Sequence, residues 1–260
     1  MPIQIRTIST RRTSILVPFM LTLATAALLA GCATRRPPLL LEPIARAAQD
    51  DGTSLPAPVS PLAIDVRNQL GTVTVVVDPR ATETEVRTLP FRAAPRAARV
   101  ADIATSREVS TLRVVVQVPE GEPEWTDVVI RTASVRGVII RNTEGDISLT
   151  NVEGPINIQS GEPLRSLGGG VFVRLAVPLT TDLNINTTRG NVRLVAPAAS
   201  AGQVTLESTT GTVGLLGRNA AVAAANVTSG PRFWRGTINN GAQPINMTTT
   251  TGKVTLEFAD

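Results

Sequence analysis

Cys32 is the only cysteine among 260 residues, and the chain contains no histidine. Those two counts remove most side-chain catalysis. A Ser-His-Asp or Cys-His arrangement cannot be assembled, and neither can a histidine-ligated metal site. Carboxylates are left, and Glu144, Asp146 and Glu153 are near enough in sequence to share one sheet face. Acidic groups of that kind serve polysaccharide hydrolases and lyases, directly or through calcium. At the corners of a repeat, however, paired carboxylates are ordinarily solvated turn residues. The reading is therefore of a protein that is not an enzyme, with no cofactor and no metal. A divergent carbohydrate-active enzyme using these acids is kept as an alternative.

Cys32 carries a different chemistry. Leu29, Ala30 and Gly31 precede it and close a mostly apolar run from Ser14 to Ala30, with Arg6, Arg11 and Arg12 upstream and no acid among them. This is the layout of a secretory signal peptide. The four residues Leu29 to Cys32 resemble the bacterial lipoprotein box, which implies cleavage after Gly31 and acylation of Cys32. One acyl chain holds a protein only marginally at a membrane, whereas several chains on one cysteine hold it stably. Two alternatives compete: residues 14–30 as an uncleaved membrane helix, near the lower length limit for a span, and Cys32 as a buried or reactive thiol. Ala33 stands where aspartate is an inner-membrane retention signal in some bacteria. The expected address is thus the outer membrane, facing the periplasm or the exterior.

Removing residues 1–31 takes away three arginines and no acid, so the 25 basic and 21 acidic residues of the whole chain become nearly balanced. Nucleic acid is not expected as a partner, because phosphate binding needs a basic face and these arginines are scattered among acids. Residues 32–59 contain Pro37, Pro38, Pro43, Pro56 and Pro58, the pair Asp50 and Asp51, and little periodicity. They read as a flexible tether, disordered, with a reach of about 30 Å. Leu39, Leu40 and Leu41 interrupt it.

The elements that must position any site begin near Ser60. Segments of the form Asn/Thr/Ser-x-x-Gly-x, followed by alternating aliphatics, recur around Gly71, Gly145, Gly154, Gly190, Gly211 and Gly252. In Ile147-Ser148-Leu149, Val192-Arg193-Leu194 and Val254-Thr255-Leu256 the alternation has the period of a half-buried strand. Each unit reads as strand, tight corner, strand. Leu183, Val204, Val227 and Ile245 begin strands 21, 23 and 18 residues apart, which suits one coil of a stack. The expected fold is all-β: a parallel β-solenoid of roughly 20-residue coils over residues 60–260, with aliphatic rows inside and Thr/Asn ladders outside. An antiparallel sandwich with repeating hairpins is the alternative.

These units, from Asn68 onward, resemble the bacterial "putative adhesin" domain family of unknown function, over about Ile64 to Phe258. The resemblance implies an exported or membrane-attached, β-rich domain without an established active site. Two stretches depart from the pattern. Thr82 to Val109 is rich in arginine and alanine, with a short helix expected around Ala94 to Ile103, and Gly161 to Gly170 reads as a surface loop ending in three glycines.

Aromatic residues offer the remaining candidates. Trp234, flanked by Phe233 and Arg235, and Trp125, near Pro119 and Pro123, could each stack on a sugar or anchor a partner. Packed corners are the plainer reading. Asn226-Val227-Thr228 and Asn246-Met247-Thr248 match glycosylation acceptors only formally. The last alternating segment, Lys253 to Phe258, lies close to Asp260, so a terminal coil is expected to expose unpaired backbone and dock on a second copy or an envelope protein. The functional expectation is a lipid-anchored, non-catalytic structural or adhesive surface, with a glycan-binding module as the second reading.

Overall fold

Wherever aliphatic and polar residues alternate, the computed structural model places a strand with its aliphatic side inward. It describes residues 53–56, 61–91, 102–108, 111–117, 125–217 and 222–259. In chain order the strands are β1 (Thr53–Pro56), β2 (Leu62–Leu70), β3 (Val73–Val77), β4 (Glu83–Phe91), β5 (Asp102–Glu108), β6 (Thr111–Gln117), β7 (Trp125–Thr132), β8 (Val135–Glu144), β9 (Ile147–Thr150) and β10 (Ile156–Ser160). They continue as β11 (Val171–Arg174), β12 (Leu183–Arg189), β13 (Val192–Pro197), β14 (Gly202–Ser208), β15 (Val213–Gly217), β16 (Ala224–Gly230), β17 (Phe233–Ile238), β18 (Pro244–Thr251) and β19 (Val254–Ala259). The one described helical element is the 3-10 turn Pro163–Arg165.

Two sheets result. One has nine strands in the order β1-β4-β7-β3-β9-β11-β13-β19-β15, the other ten in the order β16-β17-β14-β18-β12-β10-β8-β2-β6-β5. Seven units each give their first strand to the ten-stranded sheet and their second to the nine-stranded one: β2/β3, β6/β7, β8/β9, β10/β11, β12/β13, β14/β15 and β18/β19. Neighbouring units pair in parallel in both sheets, in register, as in Ile156↔Leu183 and Val171↔Val192. Strands β1, β4, β5, β16 and β17 are antiparallel additions at the two ends. Between the sheets lies one core of aliphatic rows, including Ile140, Ile158, Ile185 and Met247 from one side and Val75, Leu149, Val173, Leu194 and Leu256 from the other. Each such side chain contributes about 1.5–3 kcal/mol before the entropy of ordering the chain is subtracted.

The order of stacking is not the order of the chain. The first unit sits between the second and the third, and the seventh between the fifth and the sixth. Leu183 and Val204 therefore both lie beside Ile245, one on each side, rather than beside each other. Val227 leaves the row altogether: it lies on β16, an antiparallel edge strand, and is 48% exposed. The segment Ala224–Gly230 has only this one large aliphatic residue, so it has no apolar side to bury. The expectation of a free terminal strand is likewise corrected, since β19 is paired on one side with β13 and on the other with β15.

Two further expectations meet the structure in part. Residues 92–101 lie outside the described residues, but Asp102 and Ile103, at the end of the expected helix, belong to β5 and pair with Gln117 and Val116. Within the span 32–59 read as a tether, Thr53–Pro56 forms β1 against β4.

The recurrent Asn/Thr/Ser-x-x-Gly has its cause at the corners. Gly145 adopts φ 115°, and a Cβ there would stand 2.3 Å from the carbonyl oxygen of Gly71 in the next unit. No side chain fits between corners stacked so closely. Three residues before each corner glycine, a polar side chain turns inward. Asn68 donates to the Thr126 carbonyl at 3.1 Å, Ser208 to that of Gly252 at 2.7 Å, and Thr249 to that of Gly190 at 3.1 Å. These bonds satisfy buried carbonyls that the strand ladders leave free where the chain turns. Outside the same corners, Asp127 accepts from Thr72 N–H at 2.6 Å, Asp146 from Gly170 N–H at 2.7 Å, and Asn191 from Lys253 N–H at 2.8 Å. Gly169 and Gly170, read from the sequence as part of a surface loop, are packed into this column against Gly145 and Asp146.

Candidate binding surface

Strict parallel register lines up the outward side chains of the ten-stranded sheet in rows, with neighbours about 4.8 Å apart. One row runs Arg67, Arg141, Gln159, Asn186, Thr248, Glu207 and Phe233. The row beside it runs Arg113, Asp65, Ile139, Asn157, Asn184, Asn246 and Thr205. Its centre is a field of amides and hydroxyls with no charge between Arg141 and Glu207. Asn157, Gln159, Asn184 and Asn186 are exposed and Asn246 and Thr248 half-buried. Amides present both donors and acceptors, so the face can hydrogen-bond a polar polymer laid across the strands.

At one end of this field the cations outnumber the acids among the described residues. Asp65 is buried, and three guanidinium groups surround its carboxylate: Arg113 at 3.2 Å, Arg67 at 3.9 Å and Arg141 at 3.9 Å. Oδ1 of Asp65 accepts no hydrogen bond. Arg67 and Arg141 are directly opposite on neighbouring strands, a like-charge placement that is unfavourable unless an anion intervenes. One carboxylate cannot neutralise three cations. A groove beside the pair is lined by Gln69, Thr143 and Gln159 as well as by the two arginines. On the nine-stranded sheet three of the outer cations are matched within the face. Arg131 pairs with Asp78, Arg87 with Glu85, and Arg193 with Glu257 at 2.6 Å while lying 5.7 Å over the Phe172 ring. Hydrogen bonding from Arg131, then from the Arg80 N–H, holds the Asp78 carboxyl below its ordinary pKa.

The sequence candidates fare unequally. Leu29, Ala30, Gly31 and Cys32 lie outside the described residues. Trp234 is 9% exposed and packs inward with the core, its ring against Gly236, so it offers no stacking platform. Phe233 and Arg235 point the opposite way, as alternation requires; Phe233 is 38% exposed and Arg235 is ion-paired with Glu207. Trp125 is 36% exposed near the far end of the nine-stranded sheet, where its Nε1–H donates to Asp127 at 3.0 Å. The four residues are thus not one site. Glu144 and Asp146 flank the corner at Gly145, Asp146 being engaged with Gly170 N–H, whereas Glu153 lies beyond the other end of β9. The structure does not bring these three acids together. Among the described residues no group of three potential ligands is placed to hold a metal, and no helix is long and apolar enough to cross a membrane.

What sequence reasoning missed is the arginine cluster. Arg67 and Arg141 are far apart in the chain, and only the register of β2 against β8 joins them. The signal available was weaker: Asp65, Arg67, Arg113 and Arg141 each occupy an outward position of an alternating strand.

No family profile matches the chain, and no curated protein matches its sequence. Among solved structures it is similar to a "putative cell adhesion protein" from Clostridium sporogenes, with 7% identity and a TM-score of 0.52 over 81% of this chain and 100% of that one. A "putative adhesin" from Bacteroides fragilis matches with 9% identity and a TM-score of 0.35, over 81% of this chain and 97% of that one. At such identities the likeness is one of architecture. The chain has the fold of the Clostridium sporogenes protein, and the resemblance to adhesin domains read from its corner units is met at that level.

Proposed function

We propose that this is a lipid-anchored protein of the bacterial cell envelope, held in the outer membrane through acylated Cys32, whose domain is a β-solenoid with a structural and adhesive role and no turnover. The observation that carries the reading is the assignment of the recurrent polar residues. Asn68, Asn142, Ser208 and Thr249 serve the corners, which leaves the outward rows of the ten-stranded sheet as the broad, regular polar surface of the molecule. A rigid face presented on an anchored stalk is suited to contact rather than to chemistry. The test is metabolic labelling of the full chain with a clickable fatty acid in a bacterial host, followed by membrane fractionation and adherence of the cells to coated surfaces. Wild type is expected to be labelled, to fractionate with the outer membrane and to promote adherence, and Cys32→Ser to lose all three. Labelling without any gain in adherence would refute the adhesive role.

A second reading rests on the unbalanced arginines. Arg67 and Arg141, followed along the row by Gln159 and Asn186, suit a glycan that carries carboxylate, sulfate or phosphate groups, because a guanidinium binds such groups through two parallel hydrogen bonds. On a polysaccharide array the acidic members are expected to bind, and Arg67→Ala/Arg141→Ala is expected to lose them. Equal binding of neutral glycans would argue against it.

A further inference from the structure

The outer cations of the ten-stranded sheet are not treated alike. Toward the far end of the rows Arg235 is paired with Glu207, and Arg113 donates from Nε to Asp65 at 3.2 Å. Arg67 and Arg141 have neither arrangement. Each approaches a different oxygen of the one Asp65 carboxylate at 3.9 Å, beyond hydrogen-bond reach. Among the described residues neither guanidinium donates a hydrogen bond. Their heads are thus held over one spot, from in-register positions of neighbouring strands.

The neighbouring positions do not supply the missing negative charge. Val115 stands beside Arg67 and Gln159 beside Arg141, and two residues further along the same strands come Gln69 and Thr143. Glu144, at the end of β8, has the inward parity of Asn142 rather than the outward parity of Arg141. The positions of β5 that prolong the two rows are Ala104 and Ser106, while Asp102 and Glu108 fall beside Gln117 and Thr111. Among the described residues Asp65 alone faces the three guanidinium groups, which leaves two positive charges in excess. The groove over the pair has a volume of about 520 Å³, within the range of small-ligand sites. Gln69, Thr143 and Gln159 line it with both donors and acceptors.

We infer that this groove takes a phosphate monoester carried on a glycan, with Arg67 and Arg141 both donating to the phosphoryl oxygens and Gln159 and Thr143 holding sugar hydroxyls. The inference rests on the acidic-glycan reading and narrows it to one group. Carboxylates, sulfate esters and phosphodiesters carry a single negative charge. A phosphate monoester carries close to two at neutral pH, its second pKa being about 6. The dianion balances the excess of two cations, and its three terminal oxygens serve two guanidinium forks at once, where a carboxylate offers two oxygens to one fork. Affinity should therefore follow the second ionisation of the ligand. Arginine stays charged throughout. Protonating Asp65, Asp102, Glu108 or Glu144 would make the surface more positive and strengthen anion binding, so a loss of affinity in acid has its origin in the ligand.

The experiment is isothermal titration calorimetry of the full chain in uncharged detergent at low salt, with glucose 6-phosphate, glucose 6-sulfate, glucuronate and inorganic phosphate as probes. Glucose 6-phosphate is expected to bind at least about tenfold tighter than the sulfate ester or glucuronate. Its affinity should fall by up to about tenfold between about pH 7.5 and about pH 5, and binding should be lost in Arg67→Ala and in Arg141→Ala. Both side chains are about half exposed, so the unliganded variants should melt at or above the wild-type temperature, a like-charge pair having been relieved. Gln159→Ala should weaken glucose 6-phosphate and leave inorganic phosphate unchanged. Sulfate ester or glucuronate bound as tightly as the phosphate ester, with the same dependence on both arginines, would overturn the inference and leave the acidic-glycan reading standing. Failure of every probe to bind would overturn both. Inorganic phosphate bound as tightly as the sugar ester, or an affinity that does not fall in acid, would also overturn the inference.

Discussion

Asn142 donates its two Nδ2 hydrogens to two glycine carbonyls, that of Gly71 in the neighbouring unit at 2.9 Å and that of Gly145 in its own at 3.0 Å. It joins units 71 residues apart in the chain. Replacement by alanine leaves the Gly145 carbonyl buried and unpaired and the Gly71 carbonyl with only the longer bond from Asn68 at 3.3 Å. Asn142→Ala is expected to lower stability by about 2–4 kcal/mol, read as a shift of the urea midpoint with the slope unchanged.

Glycine is required at the corners and dispensable on the edge. At Gly145 an added methyl group meets the Gly71 carbonyl at 2.3 Å with φ at 115°, whereas at Gly214 it meets nothing within 4 Å. Gly145→Ala is expected to cost more than about 3 kcal/mol in strain and displaced backbone. Gly214→Ala should be near neutral, and thermal melts of the two variants side by side make the comparison.

The two tryptophans are expected to separate stability from binding. Trp234 closes the core beside β14, so Trp234→Ala should destabilise by about 3–5 kcal/mol. Trp125→Ala, at a partly exposed site, should leave the melting temperature within a few degrees. A Trp234→Ala chain that melts like wild type would contradict its place in the core.

Acid sensitivity has a local contribution at Asp78. Arg131 and the Arg80 N–H depress its pKa in the folded state, below the unfolded value of about 3.9. Its stabilisation is therefore complete above that value and is lost as pH falls through the lower folded one. Asp78→Asn should flatten the acid limb of a stability profile below about pH 4, lowering stability evenly across the neutral range and converging with wild type in acid. The pair is exposed, so added salt should shrink the difference.

Much of the fold was legible because a strand advertises its buried side every second residue. Ile147 and Leu149, Val192 and Leu194, and Val254 and Leu256 face inward as their spacing requires. The corner motif was also legible, though not its purpose, since bonds such as Asn142 to Gly71 exist only between units. The stacking order was not. Leu183 could accept Val204 or Ile245 with equal apolar fit, and only the folded chain reveals that Ile245 lies between them. For the same reason Arg67 and Arg141 gave no sign of being neighbours. For Trp234 the plainer of the two readings, a packed residue, is the one met: Phe233 and Arg235 face outward, and alternation sends the residue between them to the interior.

The placement of the seventh unit bears on how the molecule comes into being. β13 and β15 border a gap that only β19 fills, and β12 and β14 border one that only β18 fills. The sixth unit thus waits, with its parallel neighbour still unmade, until a later stretch of chain is synthesised. The last unit is a keystone wedged between finished courses, so assembly cannot proceed by adding one course after another as the chain lengthens. A chain of this design stays open until its final courses arrive and then closes in one late step, an order of events suited to a polypeptide threaded through a membrane before it folds.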